Sequence, residues 1–367
     1  MQAIRPAGKL KPITKSRPCT HDAAEKMNSI QAALAVFVML AGAPALAQAG
    51  YTPPRTPDGR PDLQGTWTNA SITTLERADR YKSTVLRPEE VEQATQDHPQ
   101  IVRLVTEDIA NTPATGLLTG RDLLMGRGYN AFWIDPGTRF GVVKGETRTA
   151  WITDPPDGKI PFSEAGRKLA HAGEERLGYS DPEARPLPDR CIATGGRTGP
   201  PMINGLYNNH YQIVQTPTHV MIHTEMISHA RVIPLKRDSG QRAHQPAVIA
   251  PLFGDPIAWW EGDALVIETT NFNDYHSWQD HPAYLPKTAR VTERFTGVAE
   301  DKLFYTFMVD DPTYYEQPWT GEITFWNDGG QIYEYACHEG NYAMDGILMG
   351  ARVREKLGLP LDQANDE

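Results

Sequence analysis

The sequence of 367 residues is short of long apolar stretches, and only residues 30–46 approach the length of a membrane span. A glycine and a proline interrupt this stretch, whereas a spanning helix needs about 20 apolar residues. It ends in Ala45-Leu46-Ala47, a small-x-small pattern typical of a signal-peptide cleavage site. We therefore expect residues 1–47 to be a secretion signal, with Met27 as an alternative start. The remaining chain would then be periplasmic or secreted, with no stable membrane span; the alternative is an uncleaved anchor.

Cysteine is also scarce. Of three cysteines, Cys19 lies in the expected signal, which leaves Cys191 and Cys337. Exported proteins meet an oxidising environment in which paired cysteines form disulfides. We predict a Cys191–Cys337 disulfide, worth roughly 4–5 kcal/mol in the chain-entropy account because it closes a long loop. The alternative is a reactive thiol at Cys337, which is followed directly by His338 and Glu339.

Basic residues are outnumbered, with 36 Lys and Arg against 46 Asp and Glu. Residues 1–47 hold six of the basic and two of the acidic residues, so the rest has 30 against 44, net −14. Such a surface repels phosphate backbones, and we expect no nucleic-acid partner. The P-loop, Gly-x-Ser-x-Gly and His-Glu-x-x-His are missing, and no dinucleotide-binding glycine fingerprint follows a predicted strand. These absences argue against a nucleotide cofactor and against the usual kinase, dehydrogenase and serine hydrolase chemistries.

Proline, glycine and aromatic residues are abundant, which is typical of short strands joined by many turns. We expect an extended proline-rich segment at 48–63 and one β-rich domain at 64–357. A helical insert near 88–125 and a short helix at 162–177 are predicted within that domain. A flexible tail is expected at 358–367.

From residue 207 onward the pattern is a series of hairpins, in which short apolar runs flank turn residues such as Gly262-Asp263. The last predicted hairpin pairs residues 321–326 with residues 331–336 across Asp328-Gly329-Gly330. Sequential hairpins describe an antiparallel meander, which closes most simply into a barrel or a curled sheet. The fold class is therefore predicted to be mainly β.

Two resemblances extend this prediction. Gly65-Thr66-Trp67, on a first strand ahead of a meander, is similar to the opening of lipocalins, and this implies a calycin-like barrel. The chain also resembles a large group of secreted bacterial proteins. That group carries Pro-Asp-Leu-x-Gly-x-Trp near the start, here at 61–67, and Tyr-Glu-Tyr-x-Cys-His-Glu-Gly-Asn-Tyr near the end, here at 333–342. The second resemblance covers most of the chain after the signal and implies no settled activity.

The hairpin around Pro217-Thr218 has one apolar face and one polar face. If those two residues form the turn, two cross-strand pairs share the polar face: His210 with Glu225, and Gln212 with His223. A longer turn would break this register.

The polar face has two interpretations: a solvated outer surface, or the lining of a lumen or cleft. In the second, Glu225 raises the pKa of a neighbouring histidine, which then acts as general acid or base near neutral pH. His229 and Arg231 would share the face if residues 226–228 stay extended. His210, His223 and Glu225 would also suit an iron or zinc site, although we expect acid–base use without a metal.

We therefore predict an exported enzyme that acts on a small, largely apolar or aromatic molecule by hydrolysis, elimination or isomerisation in a barrel pocket. His210 or His223 would be the base, and Glu225 would orient it. The other catalytic candidates are His229, Arg231 and His338, of which Arg231 or His338 would stabilise an anion. The expected substrate-binding residues are Gln212, Trp259, Trp260, Asn271 and Glu339. The alternatives are a non-catalytic, lipocalin-like carrier of an apolar ligand and a structural envelope protein.

Overall fold

The computed structural model describes residues 51–102, 136–175, 178, 180–194, 196–236, 243–273 and 285–360. The chain divides into two units, residues 1–46 and 47–367, and the predicted signal lies outside the described residues. No helix in the described ranges is long and apolar enough to cross a membrane.

The described residues form thirteen strands in two antiparallel sheets. The strands are β1 (Gly65–Thr68), β2 (Val85–Leu86), β3 (Val142–Val143), β4 (Glu146–Arg148), β5 (Ile152–Asp154), β6 (His210–Gln215), β7 (His219–Thr224), β8 (Ala230–Pro234), β9 (Asp255–Glu261), β10 (Ala264–Thr270), β11 (Arg290–Ala299), β12 (Lys302–Asp310) and β13 (Trp319–Trp326). The large sheet has the order β8-β7-β6-β1-β13-β12-β11-β10-β9, with β5 also paired to β13, and the small sheet has the order β2-β4-β3.

Within the described residues three α-helices accompany the sheets: α1 (Val91–Gln96), α2 (Glu164–Glu175) and α3 (Tyr342–Leu357), and residues 99–102 are also helical. A 3₁₀ turn at Pro88–Glu90 precedes α1, and others lie at Pro182–Ala184 and Met226–Ser228. Gly358 ends α3 in the left-handed conformation, which lets the Leu359 amide donate to the Arg354 carbonyl at 3.0 Å.

One face of the large sheet carries the core because buried and less buried residues alternate along its strands. Aromatic rings fill this inner face: Tyr211 lies 5.3 Å from Phe325, and Phe295 lies 4.7 Å from Tyr305, between ring centroids. Full burial of such a side chain stabilises the fold by about 2–3 kcal/mol. The inner face is therefore a packed core.

The large sheet is strongly curled. Its edge strands β8 and β9 approach each other at one parallel bridge between Leu235 and Ala258, where the Lys236 amide donates to the Ala258 carbonyl at 2.7 Å. The strand pairing of the described residues does not close into a barrel. The prediction of a mainly β, antiparallel fold is thus confirmed.

The helix predicted at 162–177 is confirmed as α2, and the described part of the insert predicted near 88–125 is helical at 88–90, 91–96 and 99–102. Residues 103–125 of that insert, and 361–367 of the predicted tail, lie outside the described residues. The predicted strand at 331–336 is wrong: those residues form no strand, and α3 soon follows them. The reason is that β12 pairs with one side of β13 while β1 and β5 pair with the other.

Candidate functional site

The β6–β7 hairpin has the register that its sequence predicts. Tyr211 pairs with Thr224, and Gln212 pairs with His223. Tyr211 is buried on the inner face, so Gln212 and His223 lie on the outer face of the sheet. Of the two interpretations of the polar face, the structure shows the outer surface, although not a fully solvated one.

His210 and Glu225 are in contact at the open end of this hairpin. His210 Nδ1 lies 3.2 Å from Glu225 Oε2, and the Glu225 amide donates to the His210 carbonyl at 3.0 Å. The Glu225 side chain is only 3% exposed, and its Oε1 accepts a hydrogen bond from the Tyr333 amide at 3.2 Å. The chain after β13 thus covers Glu225 and fixes it against the imidazole.

Asp328 completes the site from the other side of the ring, with Oδ2 3.3 Å from His210 Nε2. Strand β1 brings the two residues together. Its last residue, Thr68, pairs with both His210 and Trp326, so the chain that continues past β13 lies beside His210. A Cβ on Gly330 would be 2.6 Å from Nε2, so a larger residue there would displace the imidazole.

Two carboxylates therefore face the two ring nitrogens of His210. The hydrogen bond with Glu225 raises the pKa of His210 above its usual value, against the opposing effect of burial, and Asp328 adds to the increase. Burial alone would raise the pKa of Glu225. The hydrogen bonds from His210 and the Tyr333 amide outweigh burial and lower it. The site thus holds an imidazole that Glu225 orients through Nδ1.

Residues 226–228 are not extended, which corrects the expected position of Arg231. They form a tight turn in which Ile227 and Ser228 have φ values of 62° and 50°. The register of β7 with β8 then pairs Ile222 with Arg231, so that Arg231 points to the inner face, away from His210. Two consecutive non-glycine residues at positive φ, one of them β-branched, mark a strained turn.

Arg231 instead belongs to a buried network. Its guanidinium forms a bidentate ion pair with the Glu293 carboxylate of β11. One of the two contacts joins Nη1 to Oε1 at 3.1 Å. The Tyr305 hydroxyl donates to Glu293 Oε1 at 2.9 Å and accepts from the Met202 amide at 2.9 Å. Burial and then the Glu293 charge raise the pKa of Tyr305, which keeps its hydroxyl proton for this bond.

His229 packs against Phe253, with 3.9 Å between ring centroids. Burial, followed by the charges of Arg231 and His223, lowers the pKa of His229 to about 4. A histidine with this pKa is neutral at pH 7. His229 is therefore unsuited to act as a general acid at neutral pH.

The disulfide prediction is confirmed: Cys191 and Cys337 are bonded, with Cα atoms 5.7 Å apart. The alternative of a reactive thiol at Cys337 is therefore wrong. His338 and Glu339 follow the disulfide as exposed residues. The Asn341 side chain also bonds the same loop, donating to the Asp189 carbonyl at 2.7 Å.

The remaining predicted binding residues make contacts of their own. Trp259 Nε1 donates to Glu261 Oε1 at 2.8 Å, and Lys236 Nζ lies 5.0 Å from the centre of the Trp259 ring. Trp260 is partly buried against the core. Asn271 donates to the Gln245 carbonyl at 2.8 Å.

Asn271 thereby lies next to a second histidine cluster, for which the sequence contains no motif. His244 lies between two carboxylates, 3.2 Å from Asp255 and 3.0 Å from Glu268. Arg290 in turn donates to Glu268 at 2.6 Å. These residues come from a loop and from β9, β10 and β11, and only the strand pairing brings them together.

The metal alternative has no geometric support. In the described ranges, no group of three or more histidine, cysteine, aspartate or glutamate side chains is placed to hold a metal ion. A cavity of about 250 Å³ is lined by Pro155, Lys159, Ile160 and Glu316, among others. None of its lining residues belongs to the predicted site.

Comparison of the chain with protein-family models, with curated proteins and with solved structures finds no match. The resemblances carried by Gly65-Thr66-Trp67 and by residues 333–342 therefore stay predictions. The site that combines a partly exposed titratable group with a buried orienting group is His210–Glu225.

Proposed function

We propose that this chain is an exported acid–base enzyme in which His210 transfers protons and Glu225 orients it. The observation that carries the proposal is the contact between His210 Nδ1 and the buried Glu225 carboxylate. A carboxylate bonded to one ring nitrogen fixes the tautomer and leaves the other nitrogen for chemistry. Proton transfer by a positioned histidine contributes typically about 10²–10⁴-fold to a rate.

In this proposal the reacting nitrogen is Nε2. Asp328, whose side chain is 41% exposed, occupies that position in the free protein, and a substrate displaces it. Gln212 and His223 extend the polar surface, and the exposed ring of Tyr333 offers an apolar contact for a small aromatic molecule. Hydrolysis, elimination and isomerisation are the reaction types that such proton transfers serve.

Export and the finer description of the fold are part of the same proposal. The apolar stretch at 30–46 and the disulfide support export. The Leu235–Ala258 bridge and the ion pair that joins Arg231 to Glu293 support a calycin-like barrel left open between β8 and β9. Membership of the secreted bacterial group rests on the motifs at 61–67 and 333–342.

A lipocalin-like carrier would need an interior cavity. The inner face is instead occupied by rings in mutual contact, with Tyr305 within 6 Å of Phe295, Phe307 and Phe325. This packing favours the enzyme over the carrier.

The proposal can be tested with a panel of small aromatic esters, lactones and β-elimination substrates. Nuclear magnetic resonance measures the turnover of each substrate. His210→Ala should lower turnover at least about 10²-fold while ligand affinity changes by less than about threefold. The matched control is His219→Ala, which removes a histidine from β7 beside the hairpin turn and should keep wild-type turnover. Turnover that survives His210→Ala would overturn the proposal.

A further inference from the structure

Helix α3 is apolar on two opposite sides. One side packs against the chain through Ala351, which is 3% exposed. The other side carries large apolar side chains that are between 52% and 82% exposed: Tyr342, Met349, Val353 and Leu357. With 3.6 residues per turn these four fall on one stripe along the helix. A contiguous exposed apolar stripe marks an interaction surface, whereas scattered exposed apolar residues do not.

We propose that this stripe binds the same stripe of a second copy of the chain, with the two helices antiparallel about a two-fold axis. In that arrangement Met349 lies opposite Val353 of the second copy, and Tyr342 lies opposite Leu357. Each contact occurs twice because the interface is self-complementary.

The charges beside the stripe fit this pairing. Asp345 and Lys356 lie on the same edge of the stripe, one near each end of α3. The two-fold axis brings Asp345 of each copy to Lys356 of the other. Neither residue makes an ion pair within the described part of the chain, whereas the neighbouring Arg352 is already paired with Asp181 and Glu355.

Two glycines beside the stripe allow close approach. A Cβ placed on Gly346 or Gly350 would have no atom within 4 Å, so the space over both is open. In the same register Val353 of the second copy lies over this space. Glycine inside a helix is destabilising by about 1 kcal/mol relative to alanine, so two of them in α3 need a compensating gain. Close helix–helix packing supplies that gain.

A second copy fits the stripe better than a lipid surface does. The chain carries a net charge of −10, which repels anionic lipid headgroups. The same repulsion opposes association of two copies, but the two Asp345–Lys356 pairs offset it locally.

Sedimentation velocity of the purified protein over a concentration series tests the apolar contact. The wild type should show a monomer–dimer equilibrium, and Val353→Glu should be monomeric throughout. The matched control is Val232→Glu on β8, which changes a valine that is 59% exposed away from α3 and should keep the dimer. Circular dichroism should show both variants folded. A wild type that stays monomeric, or a dimer that survives Val353→Glu, would refute the pairing.

Charge exchange tests the antiparallel arrangement. Asp345→Lys and Lys356→Asp should each raise the dimer dissociation constant by about tenfold, because each reversal creates two repulsive contacts. The double variant should restore it to within about threefold of the wild type, and a double variant no better than the single ones would exclude this register. A monomer that sediments with phosphatidylglycerol vesicles, and loses that binding with Val353→Glu, would assign the stripe to lipid instead.

Discussion

Arg231 and Glu293 form an ion pair across the inside of the curled sheet, although β8 is an edge strand and β11 lies two strands from the other edge. Both side chains are almost completely buried. The ion pair therefore shows that the sheet is curled, because a flat sheet would hold these two strands far apart. Through Tyr305 it also fixes the Met202 amide, and with it the loop that carries Met202.

Removing one partner of this pair should be strongly destabilising. Glu293→Gln leaves the Arg231 guanidinium buried without a counter-charge, and we expect the free energy of unfolding to fall by about 3–5 kcal/mol. Urea denaturation measures the change. The matched control is Arg294→Gln on the same strand, whose ion pair with Glu261 is exposed and worth at most about 1 kcal/mol. Equal losses in the two variants would show that the buried pair does not stabilise the fold.

Glu225→Gln should lower the pKa of His210, because the Glu225 carboxylate makes the largest contribution to raising it. A titration followed by nuclear magnetic resonance of the His210 ring gives the pKa directly. Asp328→Asn should have a smaller effect, since Asp328 is more exposed and contributes less. If the two variants lower this pKa equally, Glu225 is not the dominant partner.

The same shift sets a pH dependence of stability. The pKa of His210 is raised in the folded state, so its contribution is fully present below about pH 6.5. It is lost as the pH rises through the raised value. The free energy of unfolding should therefore decrease less in Glu225→Gln than in the wild type as the pH rises above about 6.5.

His229 should destabilise the fold in acid. Its folded pKa of about 4 lies below the unfolded value, so the unfolded chain binds the proton more readily as the pH falls. The contribution of His229 to the free energy of unfolding is fully present above about pH 6.5 and is lost as the pH falls towards about 4. His229→Phe keeps the ring against Phe253 and removes the titrating group. Urea denaturation at pH 7 and pH 4.5 should show a smaller loss for the variant than for the wild type, and an unchanged loss would contradict the assignment.

Removal of the disulfide should destabilise the fold and loosen the chain after β13, which covers Glu225. The two cysteines are 146 residues apart, so the chain-entropy account gives a loss of about 5 kcal/mol for Cys191→Ala/Cys337→Ala. The Tyr333 amide, which bonds Glu225, should then exchange its hydrogen faster. Hydrogen exchange read by mass spectrometry over 331–341 measures this, and the amides of β12 serve as the internal reference. Unchanged exchange would show that the disulfide does not hold residues 331–341 against Glu225.

The sequence predicts what depends on local periodicity and turn chemistry. The β6–β7 register, and with it the His210–Glu225 contact, follows from the alternation on either side of Pro217-Thr218. Arg231 could not be placed, because a strained turn with Ile227 at positive φ changes which face the next strand presents. Asp328 could not be placed either, since its approach to His210 depends on how β1 pairs with β6 and β13 in the assembled sheet.

The C-terminal region shows the same limit. Residues 331–336 have the composition of a strand, but both sides of β13 are already paired, and no local pattern reports this. Helix α3 carries two glycines and a double-sided apolar pattern, which hides the ordinary amphipathic signal. The His244 cluster joins a loop to three strands and is visible only after those strands are paired.

The end of the β1–β13 pairing at Trp326 has a consequence for how the site could change during evolution. If two more residues of β13 paired with β1, the register would place Asn327 opposite Trp67 and Asp328 opposite Thr66, beside Gln212 instead of His210. Asp328 would then be separated from the imidazole, and a side chain at position 330 would no longer displace the His210 ring. A longer β13 could thus alter the protonation of His210 without replacing any residue that contacts it.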